Sequence, residues 1–231
     1  MMLEIIFYFQ YVVVVVVLFL IIYLGYKQRK REKEMNDFIS KNGFTIETAD
    51  TILSFLGGGI KSSFWGDEMF FGPDLRIFNV GRSKKIKNSF SINFNNSKIY
   101  FFNYNYTTGG GKSSNTYILT IAVFKSAKNI PQFYLRPERF FDKISEFFGY
   151  NDIDFKHRPE FSKKYYLKSN DEYSVINIFN DELVEFFETH PDYYVESNNG
   201  YIAIYRYEFV KPEKYPGFIE DVKKILTLIN A

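Results

Sequence analysis

The chain of 231 residues contains no cysteine. That excludes disulfides, thiolate metal sites and cysteine nucleophiles, and it suits a reducing compartment. Histidine is nearly as scarce: His157 and His190 are the two places where imidazole chemistry can sit. Charge of either sign is missing from one long stretch, since no Asp, Glu, Lys or Arg lies between Glu4 and Lys27. Also missing are a dinucleotide fingerprint, a paired-acid motif and a Ser-His-Asp spacing, so there is no catalytic signature. The folded part lacks any excess of basic charge. The formal net charge is +2, residues 1–26 carry −1, residues 27–35 carry +3, and residues 36–231 are neutral in sum. A nucleic-acid-binding domain should carry a basic face, so nucleic acid is not expected as a partner.

What fills the uncharged stretch is IIFYFQYVVVVVVLFLIIYLGY, Ile5 to Tyr26. At about 1.5 Å per residue it makes a helix of about 33 Å, enough to cross a hydrocarbon core of about 30 Å. In water the six valines Val12 to Val17 would favour a strand. In lipid each backbone polar group must be satisfied within the segment, which drives a lone apolar run into a helix. Tyr8, Tyr11, Tyr23 and Tyr26 stand near its ends, where aromatic belts form. The rival reading is a cleaved signal peptide, which needs a positive n-region, a shorter apolar core and a small-residue cleavage site. None of the three is present.

Immediately after the run come Lys27, Arg29, Lys30, Arg31 and Lys33, whereas no Lys or Arg precedes it. The positive-inside rule then predicts a single-pass cell-membrane protein with its N-terminus outside and its C-terminal domain in the cytoplasm. Those five residues are the candidate membrane-surface contacts. Each contributes about 1 kcal/mol of attraction to an anionic leaflet.

The pattern divides the chain into a short N-terminus with a transmembrane helix (1–26), a basic juxtamembrane helix or linker (27–43) and a folded domain (44–231), with a subdivision near Gly149 as an alternative. Met35, Phe38 and Ile39 continue the first helix, and Asn42-Gly43 reads as its stop. Thr48 to Leu56 is a short helix. Ser62 to Ser83 reads as irregular strands or loops. Alternation at Phe90, Ile92 and Phe94, aromatics on both faces of Ile99 to Tyr106, and Leu119, Ile121 and Val123 predict a three-stranded antiparallel meander, with Gln132 to Leu135 as a fourth strand.

Pro137 predicts a helix start, with Phe140, Phe141, Ile144, Phe147 and Phe148 as its apolar stripe. Further on, a helix starting at Asn170-Asp171 is broken or restarted at Asn180-Asp181, with Ile176, Phe179, Leu183, Phe186 and Phe187 inward. A hairpin turns at Asn198-Asn199-Gly200. A last helix opens at Pro216. Strands and helices are grouped rather than alternating, which predicts an α+β fold with mainly antiparallel sheet.

Two stretches invite chemistry. Gly109-Gly110-Gly111-Lys112-Ser113 looks like a phosphate loop, but G-x-x-x-x-G-K-[ST] needs a glycine where Tyr106 stands. It also leads into a strand, while a phosphate loop opens a helix. Asp152, Asp154, His157 and Glu160 are the candidate metal ligands, three carboxylates and an imidazole within nine residues. The same acids suit turn and capping roles. No cofactor is otherwise expected. His190, before Pro191, is a candidate helix cap.

The blocks YTTGGGKSSNTYILTIAVFKS, FYLRPE and FGYNDIDFKHRPEFSKKYYLKSNDEYSVINIF resemble a family of uncharacterised prokaryotic proteins with one N-terminal membrane helix and a cytoplasmic α+β domain. The likeness is strong over 104–180 and one of layout elsewhere. It implies architecture alone, because the family has no assigned activity. The expected function is a membrane-tethered cytoplasmic binding or scaffold domain facing a protein partner or anionic lipid headgroups. The alternative is a metal-dependent, hydrolase-like enzyme using Asp152, Asp154, His157 and Glu160.

Overall fold

The computed structural model describes residues 2–63, 66–138 and 153–230. The chain divides into two compact units, Met1–Gly43 and Phe44–Ala231. The first is a single helix, α1 (Met2–Lys41), of 40 residues, about 60 Å long at 1.5 Å per residue. It is the one helix among the described residues long and apolar enough to cross a membrane. From Val12 to Tyr26 every side chain is exposed. The helix stops where the sequence predicts. Asn42 Nδ2 donates to the Phe38 carbonyl at 2.8 Å, and Gly43 takes φ +67, a left-handed value that glycine adopts without a Cβ clash.

The second unit begins with β1 (Thr45–Ile46) and α2 (Ala49–Phe55). Thr48 caps α2 by accepting from the Thr51 N–H at 3.1 Å. The stretch expected to be irregular contains order. β2 (Gly59–Ser63) and β3 (Gly66–Phe70) form a separate two-stranded sheet, followed by one helical turn, α3 (Arg76–Asn79). Phe64 and Trp65, between β2 and β3 in the chain, lie outside the described residues.

The meander is present as β4 (Arg82–Phe94), β5 (Ser97–Thr108) and β6 (Asn115–Lys125). β4 starts well before the alternation at Phe90. Register shifts between Arg82 and Lys85 and between Lys87 and Phe90 break the two-residue period in its first half. Asn95 and Asn96 make the turn at φ 46 and 61.

Four more strands complete an eight-stranded antiparallel sheet: β7 (Phe133–Pro137), β8 (Tyr165–Ser169), β9 (Tyr194–Asn198) and β10 (Tyr201–Arg206). Its order is β1-β4-β5-β6-β10-β9-β7-β8. The Gln132–Leu135 segment is therefore a strand, but not the fourth of the meander. β10 lies beside β6, and β7 sits between β9 and β8. Strands from both sides of position 149 share this one sheet.

Pro137 is the last residue of β7, opposite Tyr165, and the helix expected after it lies outside the described residues. β9 pairs with β7 only as far as Leu135, so the missing proline N–H faces no second strand. The stripe Phe140, Phe141, Ile144, Phe147 and Phe148 lies outside the described residues. At the β9–β10 hairpin Asn199 and Gly200 both take positive φ, 52 and 77, as a type I′ turn requires.

The remaining helices are α4 (Pro159–Lys164), α5 (Glu172–Ile178), α6 (Asp181–Thr189) and α7 (Tyr215–Ile229). Asp171 caps α5 through the Ser174 N–H and Asn180 caps α6 through the Leu183 N–H, both at 3.0 Å. The break at 180 is a new cap. One inward position differs from expectation: Ile176 is 39% exposed. Starting α5 at Glu172 turns Val175 inward, one helical turn before buried Phe179.

The result is a three-layer α+β domain. On one face of the sheet Tyr100, Phe102, Tyr104, Leu119, Ile121 and Tyr205 pack against Ile52, Leu53, Leu56 and Phe78 of the α2–α3 side. On the other, Phe90 and Phe101 meet Tyr215 and Phe218 of α7, and Phe133 meets Phe179. β5, in the middle, is buried on both faces.

Candidate functional site

Strand β9 places Tyr194 and Glu196 on the α2–α3 face of the sheet, where an alternating strand should be apolar. Glu196 is 3% exposed. The Tyr205 hydroxyl donates to its Oε1 at 2.5 Å, and the Ile77 N–H donates to its Oε2 at 3.2 Å. Next to it, Asn198 Nδ2 donates to the Asp74 carbonyl at 2.8 Å, so β9 holds the α3 segment at two points. Burial pushes the Glu196 carboxyl up to about 7, although the hydrogen bonds from Tyr205 and Ile77 and the charge of Arg76 oppose the shift.

Glu196 floors two clefts. One, of about 30 Å³, is lined by Asp74, Gln132, Tyr134 and Lys168 among others. The other, of about 10 Å³, is lined by Ile77, Val80, Tyr205 and Tyr207. Both share Arg76, Tyr134 and Glu196. The Arg76 guanidinium lies 4.8 Å from the centre of the Tyr134 ring. Chemically this is a carboxyl that holds or releases a proton near neutrality while fixing a loop to a sheet. The sequence reading passed over Glu196. The available signal was an acid at an inward position of Tyr194-Val195-Glu196.

Two of the candidate metal ligands, His157 and Glu160, go to separate partners. Asp152 lies outside the described residues, and Asp154 is exposed. His157 Nε2 is 3.8 Å from Asp181 Oδ1, with both side chains mostly in solvent. Glu160 pairs with Lys163 at 2.8 Å, also on the surface, and hydrogen bonding from Lys163 holds its carboxyl below the usual value. Arg158 pairs with Glu188 at 3.0 Å. Among the described residues no three His, Asp or Glu side chains gather to hold a metal ion.

His190 ends α6. Its Nδ1 lies 3.0 Å from the Phe186 carbonyl, and its ring stacks on Phe186 at 4.3 Å. The glycine-rich loop makes a short 3-10 turn at Gly111–Ser113 and enters β6, so it opens no helix. Lys27, Arg29, Lys30, Arg31 and Lys33 all lie exposed on α1. Lys30 sits 3.9 Å from Glu34 one turn on.

No protein-family model and no curated protein matches this chain. Among solved structures, the crystal structure of the mycobacterial trehalose monomycolate transport factor A, TtfA, is similar with a TM-score of 0.54. The two are 12% identical, and the match covers 87% of this chain and 95% of that one. At this identity the likeness is one of fold.

Proposed function

We propose that the chain is a membrane-tethered binding or scaffold domain. In this reading α1 spans the bilayer once, residues 27–43 form a basic juxtamembrane segment, and residues 44–231 act on the cytoplasmic side. The observation that carries it is the charge and exposure profile of α1. An apolar stretch exposed on all faces is followed at once by Lys27, Arg29, Lys30, Arg31 and Lys33. In water an exposed surface of Val, Leu, Ile and Phe on every side is strongly unfavourable; in lipid it is what a spanning helix presents. The five cations bias the orientation and attract anionic headgroups.

A non-catalytic role fits a fold shared with a protein named as a transport factor. The domain would present a surface to a protein partner working beside the same membrane. Its topology is tested by fusing reporters to Ala231. Green fluorescent protein should fluoresce there, and alkaline phosphatase, active only outside the cytoplasm, should be inactive. Active phosphatase with dark fluorescent protein would reverse the orientation and remove the cytoplasmic scaffold from consideration.

A further inference from the structure

Neutrality of the domain conceals a separation of charge along the chain. From Leu75 to Pro137 there are ten Lys or Arg residues and no Asp or Glu. From Ser169 to Tyr205 there are eight Asp or Glu residues and no Lys or Arg. The fold turns this into a separation in space. The first segment supplies β4, β5 and β6, neighbours towards one side of the sheet. The second places most of its acids on α5 and α6, where Glu188 is paired with Arg158 and Glu172, Glu182 and Glu185 are exposed. α5 packs against the edge strand β8, and α6 packs against α4 and α7. β4 and β8 are six interstrand steps apart in the sheet order, which is about 29 Å. That exceeds the Debye length of about 8 Å at physiological salt, so the two poles do not cancel locally.

The basic pole has a defined edge. Antiparallel register brings the start of β4, the end of β5 and the start of β6 to the same end of the meander: Arg82 opposes Thr107, Lys85 opposes Asn105, and Thr108 opposes Asn115. Arg82, Lys84, Lys85 and Lys87 occupy the first six residues of β4, and their partners across the ladder are neutral. Arg82 and Lys85 are exposed, and Lys84 is half-buried. Glu68 of β3 attracts Lys84. Ile118, 42% exposed, stands in the same cross-strand row as Lys85 and Asn105. The adjoining loop, 109–115, is Gly, Ser, Asn and Lys, small enough to let a surface approach closely.

We propose that this end of the meander is a docking face for an anionic lipid surface, with the α5–α6 pole turned away from it. The proposal rests on the membrane reading of α1, which keeps the domain within reach of a bilayer. It extends that reading from the tether to the domain. Cations around an isolated apolar side chain suit the boundary between headgroups and acyl chains. A field that attracts the basic pole repels the acidic one, so lipid charge sets orientation as well as affinity.

The absence of cysteine makes the test direct. Full-length chain carrying either Ser114→Cys in the β5–β6 loop or Asn177→Cys on α5 is labelled with a fluorophore and reconstituted in nanodiscs containing a headgroup quencher. With about one-third anionic lipid, the Ser114→Cys label should be quenched much more than the Asn177→Cys label. The difference should vanish in neutral lipid or at high salt. Adding Arg82→Gln and Lys85→Gln should lower the docked-to-undocked ratio roughly 25-fold, or about fivefold per residue, which corresponds to about 1 kcal/mol each. Lys163→Gln on α4 should leave it unchanged. Equal quenching at the two sites, or quenching indifferent to lipid charge, overturns the docking face while leaving the tether intact. Loss of co-elution with the nanodisc overturns the tether, and the docking face with it.

Discussion

Phe19 and Phe101 are the same side chain treated in opposite ways. Phe19, in α1, is 71% exposed, and Phe101, in β5, is 0% exposed. The difference lies in what surrounds each. α1 is apolar on all sides from Val12 to Leu24, so it has no polar face to turn outward and no single face to bury. β5 has a neighbour on each edge and a helical layer on each face, so its aromatics find partners wherever they point. Phe101 stacks on Phe90 at 5.0 Å and meets Phe218 edge-on at 6.0 Å. Apolar character therefore carries different energetic meaning in the two units. In the domain it is packing; in the helix, under the proposed membrane reading, it is solubility in a second solvent.

Truncation should separate the two meanings. Phe101→Ala is expected to cost about 3–5 kcal/mol of domain stability, as lost transfer energy plus a cavity beside Phe90 and Phe218. Phe19→Ala should leave the same denaturant midpoint unchanged, because no packed contact is lost. Chemical unfolding in detergent, followed by near-UV dichroism, measures both. Comparable losses from the two substitutions would break the comparison.

The same contrast explains how much was legible beforehand. α1 was readable because composition alone specifies it: a charge-free run followed by cations needs no knowledge of neighbours. Local backbone chemistry was readable too. The caps at Thr48, Asp171 and Asn180 and the Asn199-Gly200 turn are all decided within a few residues. What stayed hidden was non-local. Pro137 reads as a helix start, and that it also closes β7, where β9 has stopped pairing, is set by residues nearly sixty positions away. β7 was visible as a strand, but its place between β9 and β8 was not. Glu196 was invisible as a site because its partners, Ile77 and Tyr205, come from a helical turn far upstream and from a neighbouring strand. The segregated charge was present in the sequence all along, but a single sum over residues 36–231 hid it.

Glu196 sharpens the comparison from the polar side, as a charge-bearing group inside the unit whose interior is packed. Its carboxyl is pushed from 4.5 up to about 7 by burial. Between those values the native state holds a proton that the unfolded chain has released, so stability is full below about 4.5 and falls as pH rises towards 7. The loss amounts to about 3 kcal/mol in total. Glu196→Gln mimics the protonated form, keeping an acceptor for Tyr205 or Ile77. It should flatten that part of the stability profile and leave the variant more stable than the parent at pH 8. An unchanged slope between pH 4.5 and 7 would show that the proton sits elsewhere.

The smallest effect concerns how helices of very different length are held. α1, with 40 residues, has length enough to propagate. α6 has nine, below the length at which a helix is stable alone in water. It must rely on packing through Leu183, Val184, Phe186 and Phe187 and on its cap. Asn180 supplies that cap, holding extended backbone at ψ 169 while its side chain accepts from the Leu183 N–H. Asn180→Ala should therefore lower domain stability by about 1 kcal/mol, and Asn180→Ser, which keeps an acceptor at the same place, should recover most of it. Equal losses in Ala and Ser would mean that the side chain contributes contact rather than a hydrogen bond. Recovery by Ser alone would tie the restart of the chain at Asn180 to one orphan amide, which packing of the α6 apolar face cannot satisfy.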